Sequence, residues 1–225
     1  MNPNPKSRPF FENLAGWAGG RFPITSSTTL LEYGVGRYGF ACYYAERAGR
    51  VIGLDIRDYS EFHPGIEFLV YDGNKIPLPD ASVDAVASHS VLEHVEDIHA
   101  SLSEIDRVLR VGGRAFLTIS PLYYSSGGSH IRKEGKRLDA WEHLDPKSPI
   151  YLTDSPMPED PDGGHYLNKL RVRDFLDAVG ALPWDVVSFQ RFYEVKPLPE
   201  YLRDQAIDPL DLSTREFRFI GIKSR

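Results

Sequence analysis

The stretch that most limits how this chain can fold is LEYGVGRYGF, Leu31 to Phe40, taken with Asp55 one helix and one strand later. A short run, Thr29 to Leu31, leads to an acid, Glu32, and then to glycines at 34, 36 and 39. The apolar pattern from Phe40 to Ala45 predicts a helix running to Ala48, and VIGLD predicts a second strand, 51–55, that ends on a carboxylate. The order is strand, glycine turn, helix, strand. Glycines let the backbone pass through positive φ and come close to a ligand. A helix start presents unpaired N–H groups, and a carboxylate at the next strand's end can accept from both hydroxyls of a ribose. A chain built this way reads as holding a nucleoside.

The spacing alone does not choose the nucleoside, because Gly34, Gly36 and Gly39 also satisfy the G-x-G-x-x-G pattern of dinucleotide binders. Glu32 bears on that choice: a carboxylate there would repel a pyrophosphate but suits a ligand carrying an ammonium. Downstream come YDGNKIPLPDASVDAVASHSVLEHVED, Tyr71 to Asp97, a helical segment, and VLRVGGRAFLTIS, Val108 to Ser120. With the glycine turn and Asp55 these are four separated motifs in one order. They resemble the class I S-adenosylmethionine-dependent methyltransferases, in particular small bacterial enzymes with an LEHV…VLRVGG segment. The resemblance covers about residues 28 to 120.

That resemblance implies an α/β, doubly wound Rossmann-like sheet of order 3-2-1-4-5-7-6 with the last strand pair antiparallel, and S-adenosyl-L-methionine as cofactor. Asp55 would accept from the ribose hydroxyls, with Ile56 packed on the adenine; a plain turn aspartate is the rival reading. Asp72 would lie near the adenine amino group beside Gly73, although Asp-Gly is also a simple turn signal. Glu32 would meet the methionine end through water, next to Tyr33, Gly34 and Gly36. Ser88 and His89 follow the fourth strand, where the backbone passes under the sulfonium. SVLEH resembles the E-x-x-E-H run that binds a divalent cation in some methyltransferases. Ser90 stands here in place of the first acid, so no metal is expected, and Glu93 and His94 would cap or orient the following helix.

Residues 1–27 read as an N-terminal cap, proline-rich to Pro9 and then a short helix with Phe10, Leu14 and Trp17 on one face, covering a sheet edge or lying over the cofactor. Short apolar runs at 66–71 and 83–88 read as buried strands. The apolar spacing from Asp97 to Arg110 predicts a helix that Gly112 and Gly113 end, followed by a strand at 115–119. A helix at 172–179 stopped by Gly180, and strands at 184–189 and 217–222, complete one domain over 1–225.

Between them, Pro121 to Lys169 fits no regular element. It holds Gly127, Gly128, Gly163 and Gly164, six prolines, Tyr123, Tyr124, Trp141, His130, His143 and His165. A loop this long inside a compact domain is functional or disordered, and its aromatics and histidines favour function. It reads as an acceptor-binding lid whose residues lie outside the core. An alcohol acceptor needs a base, for which histidine is suited near neutral pH; His94, His130, His143 and His165 are candidates, with Tyr123 and Tyr124 as positioning groups.

The net charge of −6 and the lack of a basic cluster larger than Arg132, Lys133, Lys136 and Arg137 argue against a general nucleic-acid binder. Cys42 is the single cysteine, so no intrachain disulfide forms. No signal-peptide or transmembrane run is present, and a cytoplasmic location is expected. The expected partner is a small-molecule acceptor, with no nucleic acid and no membrane; a homodimer stays open. The expected activity is methyl transfer to a small polar acceptor at oxygen, of saccharide or natural-product type. The alternatives are a nicotinamide-dependent oxidoreductase on the same turn and a non-catalytic binding protein of this fold.

Overall fold

A computed structural model of the chain describes residues 7–130, 132–133, 136–137, 139–148 and 167–225. Seven strands make one sheet: β1 (Thr29–Tyr33), β2 (Arg50–Asp55), β3 (Glu67–Val70), β4 (Val83–His89), β5 (Leu109–Ile119), β6 (Trp184–Tyr193) and β7 (Thr214–Lys223). Their order is 3-2-1-4-5-7-6. β3, β2, β1, β4 and β5 run parallel, while β7 pairs antiparallel with both β5 and β6. The topology implied by the resemblance is the one observed. β1 and β4 are neighbours, and the chain leaves them toward opposite ends of the sheet. A crevice therefore opens at their carboxyl ends, where open α/β sheets hold ligands.

Alternation along each strand gives the sheet two apolar faces. Leu31, Leu54, Val86 and Leu117 pack with Leu102 and Ile105 of α3 (Ile98–Val108) and with Phe175 and Val179 of α4 (Val172–Gly180). On the opposite face, Leu30, Val51, Ala87 and Phe116 pack with Phe11, Leu14 and Ala18 of α1 (Arg8–Ala18) and with Tyr43 and Tyr44 of α2 (Ala41–Tyr44). Phe11 stacks on Tyr43 at 5.2 Å and meets Tyr44 edge-on at 5.1 Å. Asp97 caps α3 by accepting from the Ala100 N–H at 3.0 Å.

Three expectations change. α1 covers a face of the sheet and not its edge, and it buries Phe11, Leu14 and Ala18 while Phe10 stays exposed. α2 is a single turn that does not reach Ala48; its apolar run reflects burial between α1 and the sheet, not one long helical stripe. α3 ends at Val108, ahead of the two glycines, which lie inside β5. There β4 steps from Val83 to Ala85 while β5 advances from Leu109 to Arg114, a bulge, and a Cβ on Gly113 would come within 2.7 Å of the Arg110 carbonyl.

The segment expected outside the core has a small core of its own. Tyr123, Trp141 and Leu144 pack with Leu167, Leu202 and Leu212. The Trp141 indole donates to the Tyr124 carbonyl at 3.0 Å, and the His143 imidazole donates to the Tyr123 carbonyl at 2.7 Å. His165, with the rest of 149–166, lies outside the described residues.

Candidate active site

The glycine turn after β1 is braced from several directions. Gly34 and Val35 both donate their N–H groups to the Leu54 carbonyl, at 2.8 and 3.0 Å. Gly34 has φ +75°, and a Cβ there would lie 2.4 Å from a Val91 methyl, so this position admits glycine alone. Gly36 donates to Asp55 Oδ2 at 2.9 Å and accepts from His63 Nε2 at 2.7 Å. No atom lies within 4 Å of where its Cβ would be. The backbone of Gly36 is therefore fixed on one side and open on the other. His63, buried and stacked on Phe68, was not expected from the sequence, where it is one histidine in a loop.

Glu32 is buried at the end of β1, on the face that carries Phe40. Its Oε1 accepts the Phe40 N–H at 2.8 Å, while Oε2 has no partner among the described residues. Burial pushes its carboxyl up to about 8; the Phe40 and Ala41 amides oppose that rise and the charge of Asp55 adds to it. An orphaned buried acceptor beside an open glycine backbone fits a ligand that brings an ammonium and hydroxyls. Asp55 uses Oδ2 for Gly36 and Oδ1 for the Arg57 N–H at 3.2 Å. A carboxylate has about four acceptor sites, so both oxygens can take a further hydrogen bond. Next to it Ile56 is 58% exposed, and Gly73, at φ +86°, faces it with its absent Cβ 3.8 Å from Ile56 Cγ2.

Two of the expected cofactor residues have other engagements. Tyr33 turns into the core on the α3 face and accepts a hydrogen bond from the Tyr71 hydroxyl at 2.8 Å, which leaves its backbone to border the turn. Asp72 Oδ1 accepts from the Asn74 and Lys75 amides at 2.9 and 3.1 Å, which holds its carboxyl below the usual range. That is the turn role that competes with a ligand role.

At the end of β4, the buried Ser88 hydroxyl has no partner among the described residues. The His89 ring shares hydrogen bonds with Tyr44 Oη (2.8 Å) and Thr118 Oγ1 (3.1 Å), and Phe116 meets it edge-on at 5.0 Å. Burial, with a contribution from the Arg218 charge, lowers its pKa to about 3, so the imidazole is neutral. Both ring nitrogens are committed on the α1 face, and the backbone of 88–89 remains for the crevice.

Beyond β4 and β5 the structure brings the three expected histidines together. His94 and His130 meet edge to face with centroids 5.1 Å apart. His130 Nε2 donates to the Pro121 carbonyl at 3.0 Å. His143 is buried, and burial lowers its pKa to about 4, against its bond to the Tyr123 carbonyl and with the help of nearby His130. It is a framework histidine of this segment, whereas His94 and His130 are half-buried. Glu93 is buried with Oε1 accepting the Ser120 N–H at 3.2 Å and Oε2 unpartnered among the described residues; burial pushes it up to about 8. It ties the β4 loop to the end of β5 and does not cap α3, the work that Asp97 does. Among the described residues no group of three or more His, Cys, Asp or Glu side chains could hold a metal ion.

Residues 31–117 match the family model described as a methyltransferase domain. A probable S-adenosylmethionine-dependent methyltransferase of Mycolicibacterium smegmatis is 42% identical over 97 residues, 41% of this chain and 37% of that protein. A malonyl-acyl-carrier-protein O-methyltransferase of Serratia marcescens is 31% identical over 124 residues, 52% of this chain and 44% of that one. The chain thus spans less than half the length of these curated relatives. In fold it is similar to the geranyl diphosphate C-methyltransferase of Streptomyces coelicolor, solved with Mg2+, geranyl diphosphate and S-adenosyl-L-homocysteine. The TM-score is 0.62 at 15% identity, over 96% of this chain and 79% of that one.

The strand order and the glycine turn after β1 are laid out on the fold of that methyltransferase structure. Residues 31–117 thus match a methyltransferase domain, and the chain is similar over part of its length to S-adenosylmethionine-dependent methyltransferases. No helix among the described residues is long and apolar enough to cross a membrane.

Proposed function

We propose that the protein transfers the methyl group of S-adenosylmethionine to an oxygen of a small polar acceptor. The observation that carries this reading is Glu32: a buried carboxyl with one oxygen bonded to Phe40 and the other unpartnered among the described residues, beside the open backbone of Gly36. When bound, the cofactor supplies a methyl group already activated by its sulfonium. The protein's part is alignment and exclusion of water. Glu32 would hold the ammonium, Asp55 the ribose hydroxyls, and Ile56, with Gly73 beside it, the adenine. On the acceptor side, His94 and His130 would take the hydroxyl proton, with Tyr123, Tyr124 and His143 shaping the segment that carries His130.

Oxygen as the methylated atom rests on these paired histidines. The Serratia relative is an O-methyltransferase and the Streptomyces neighbour a C-methyltransferase, so both chemistries belong in the test. Calorimetry with S-adenosylmethionine and NAD comes first; tight NAD binding without S-adenosylmethionine binding would overturn the reading in favour of an oxidoreductase. Methyl-labelled cofactor is then offered to hydroxylated, carboxylated and alkene acceptors, and product mass and fragmentation locate the methyl group. Cofactor binding with labelling of carbon alone would refute the oxygen assignment.

A further inference from the structure

The loop after β4, Leu92 to Val95, carries Glu93 and His94 yet has little regular structure of its own. What fixes it comes from the other end of the acceptor segment. Asn168 Nδ2 donates to the Leu92 carbonyl at 2.7 Å and to the Val95 carbonyl at 2.9 Å. The Asn168 backbone N–H donates to the Glu93 carbonyl at 3.0 Å. Its Oδ1 accepts the Leu170 N–H at 3.0 Å. Both Nδ2 contacts are carbonyls and the Oδ1 contact is an amide, so the orientation of the side-chain amide follows from the network. One residue therefore satisfies carbonyls on three of the loop's four residues, and the next residue along the chain begins the run into α4.

We propose that Asn168 is a positioning residue of the methyl-transfer site, a reading that rests on the function proposed above. It sets the height and tilt of the Leu92–Val95 loop, and so where the His94 ring meets His130 and where the Glu93 carboxyl meets Ser120. Both Nδ2 hydrogens, the Oδ1 acceptor and the backbone N–H are in use. Aspartate is nearly the same size and keeps the acceptor for Leu170, but it turns oxygen toward two carbonyls. Alanine removes the contacts altogether. Neither substitution alters a residue of the glycine turn, whose Gly34 meets the neighbouring Val91 and not Asn168.

The test is acceptor-independent. Histidine ring resonances are recorded by NMR for the unaltered protein, Asn168→Asp and Asn168→Ala, at a temperature well below unfolding. The edge-to-face contact makes the His94 and His130 ring protons sensitive to their mutual geometry. The expected result is a displacement of the His94 and His130 signals in both variants, while His63 and His89, on the other side of the sheet, keep theirs. A purely structural role would lower the melting temperature and leave His94 in place, and that outcome overturns the proposal. So does a uniform shift of all four rings. Hydrogen exchange on the unaltered protein guards against variants that do not fold: the Asn168 amide should be protected like those of the sheet, and exchange at the rate of an open loop refutes the clamp. S-adenosylmethionine calorimetry on the unaltered protein runs alongside, so a failed cofactor reading is told apart from a failed clamp.

Discussion

The half of the site proposed for the cofactor and the half proposed for the acceptor are organised on different physical plans. Around the glycine turn, contacts span only short stretches of chain: Leu54, Asp55 and His63 brace Gly34 to Gly36, and Glu32 holds the Phe40 amide. The sheet below them is rigid, and one face is sealed by α1 and α2. The acceptor half is assembled from distant pieces. Tyr123 and Trp141 depend on Leu202 and Leu212, and the β4 loop depends on Asn168. The first half is set by local hydrogen bonds, the second by a small satellite core. A rigid half suits a ligand common to a whole family, and a separately packed half can change its acceptor without disturbing the turn.

That contrast can be broken most severely at Trp141. Truncation to alanine should cost about 3–5 kcal/mol of local stability, the usual range for a buried indole, while the affinity for S-adenosylmethionine changes less than about twofold if the halves are independent. Denaturant melts paired with cofactor calorimetry check this; joint loss would show one cooperative unit. Gly34→Ala should do the converse. Overpacking on Val91 and the positive φ together cost on the order of 2–4 kcal/mol, cofactor binding is lost, and hydrogen exchange in the Tyr123–Trp141 cluster stays native-like.

Asp55→Ala removes a charge-assisted acceptor and should weaken cofactor binding by about 1.5–3 kcal/mol, read by calorimetry. pH separates the halves more gently. Glu32 and Glu93, raised to about 8 from 4.5, each contribute stability that is complete below pH 4.5 and lost as pH rises through 8. His89 and His143, lowered to about 3 and 4 from 6.5, contribute stability that is complete above pH 6.5 and lost as pH falls through those values. Chemical melts should therefore show a plateau between about pH 4.5 and 6.5, falling on both sides. Glu32→Gln should flatten part of the alkaline limb, and cofactor binding near pH 7 should release a proton, seen as a dependence of binding enthalpy on buffer. The smallest expected effect is that of a chelator: turnover should survive it, because Ser90 replaces the acid that the metal-binding run needs. Loss restored by magnesium or manganese would assign Glu93 and His94 a cation after all.

The braced glycine turn was legible in the sequence because its signals are local. Glycines at 34 and 36, an acid before them and an acid ending the next strand fall where short-range geometry demands them. Strand order came with the resemblance, and the structure has the same order. The failures share a cause. Phe40 to Ala45 looked like a long helix because apolar residues that face two neighbours mimic helical spacing. Gly112 and Gly113 looked like a helix stop because a bulge also needs glycine. Tyr123 and Trp141 looked like ligand-facing groups because nothing nearby in the sequence announces Leu202 and Leu212, which pack with them, and His143 because its partner is the distant Tyr123 carbonyl. His63 was invisible because no motif marks its loop, and Asn168 because its partners Leu92 and Val95 lie 76 and 73 residues away.

The position of β7 has a consequence for how the molecule is made. β7 lies between β5 and β6, so during synthesis β6 emerges with no strand to join until Thr214–Lys223 follows it. Until then β5, with Phe116 and Leu117 among its apolar residues, presents an open hydrogen-bonding edge. An unpaired edge of that kind is a template for pairing with another chain, and late, long-range strand insertion is slow. The nascent protein is thus most exposed to aggregation in the interval between finishing α4 and finishing β7. Conditions that slow elongation over residues 194–213 should lower the soluble yield with no change in the stability of the protein that does fold.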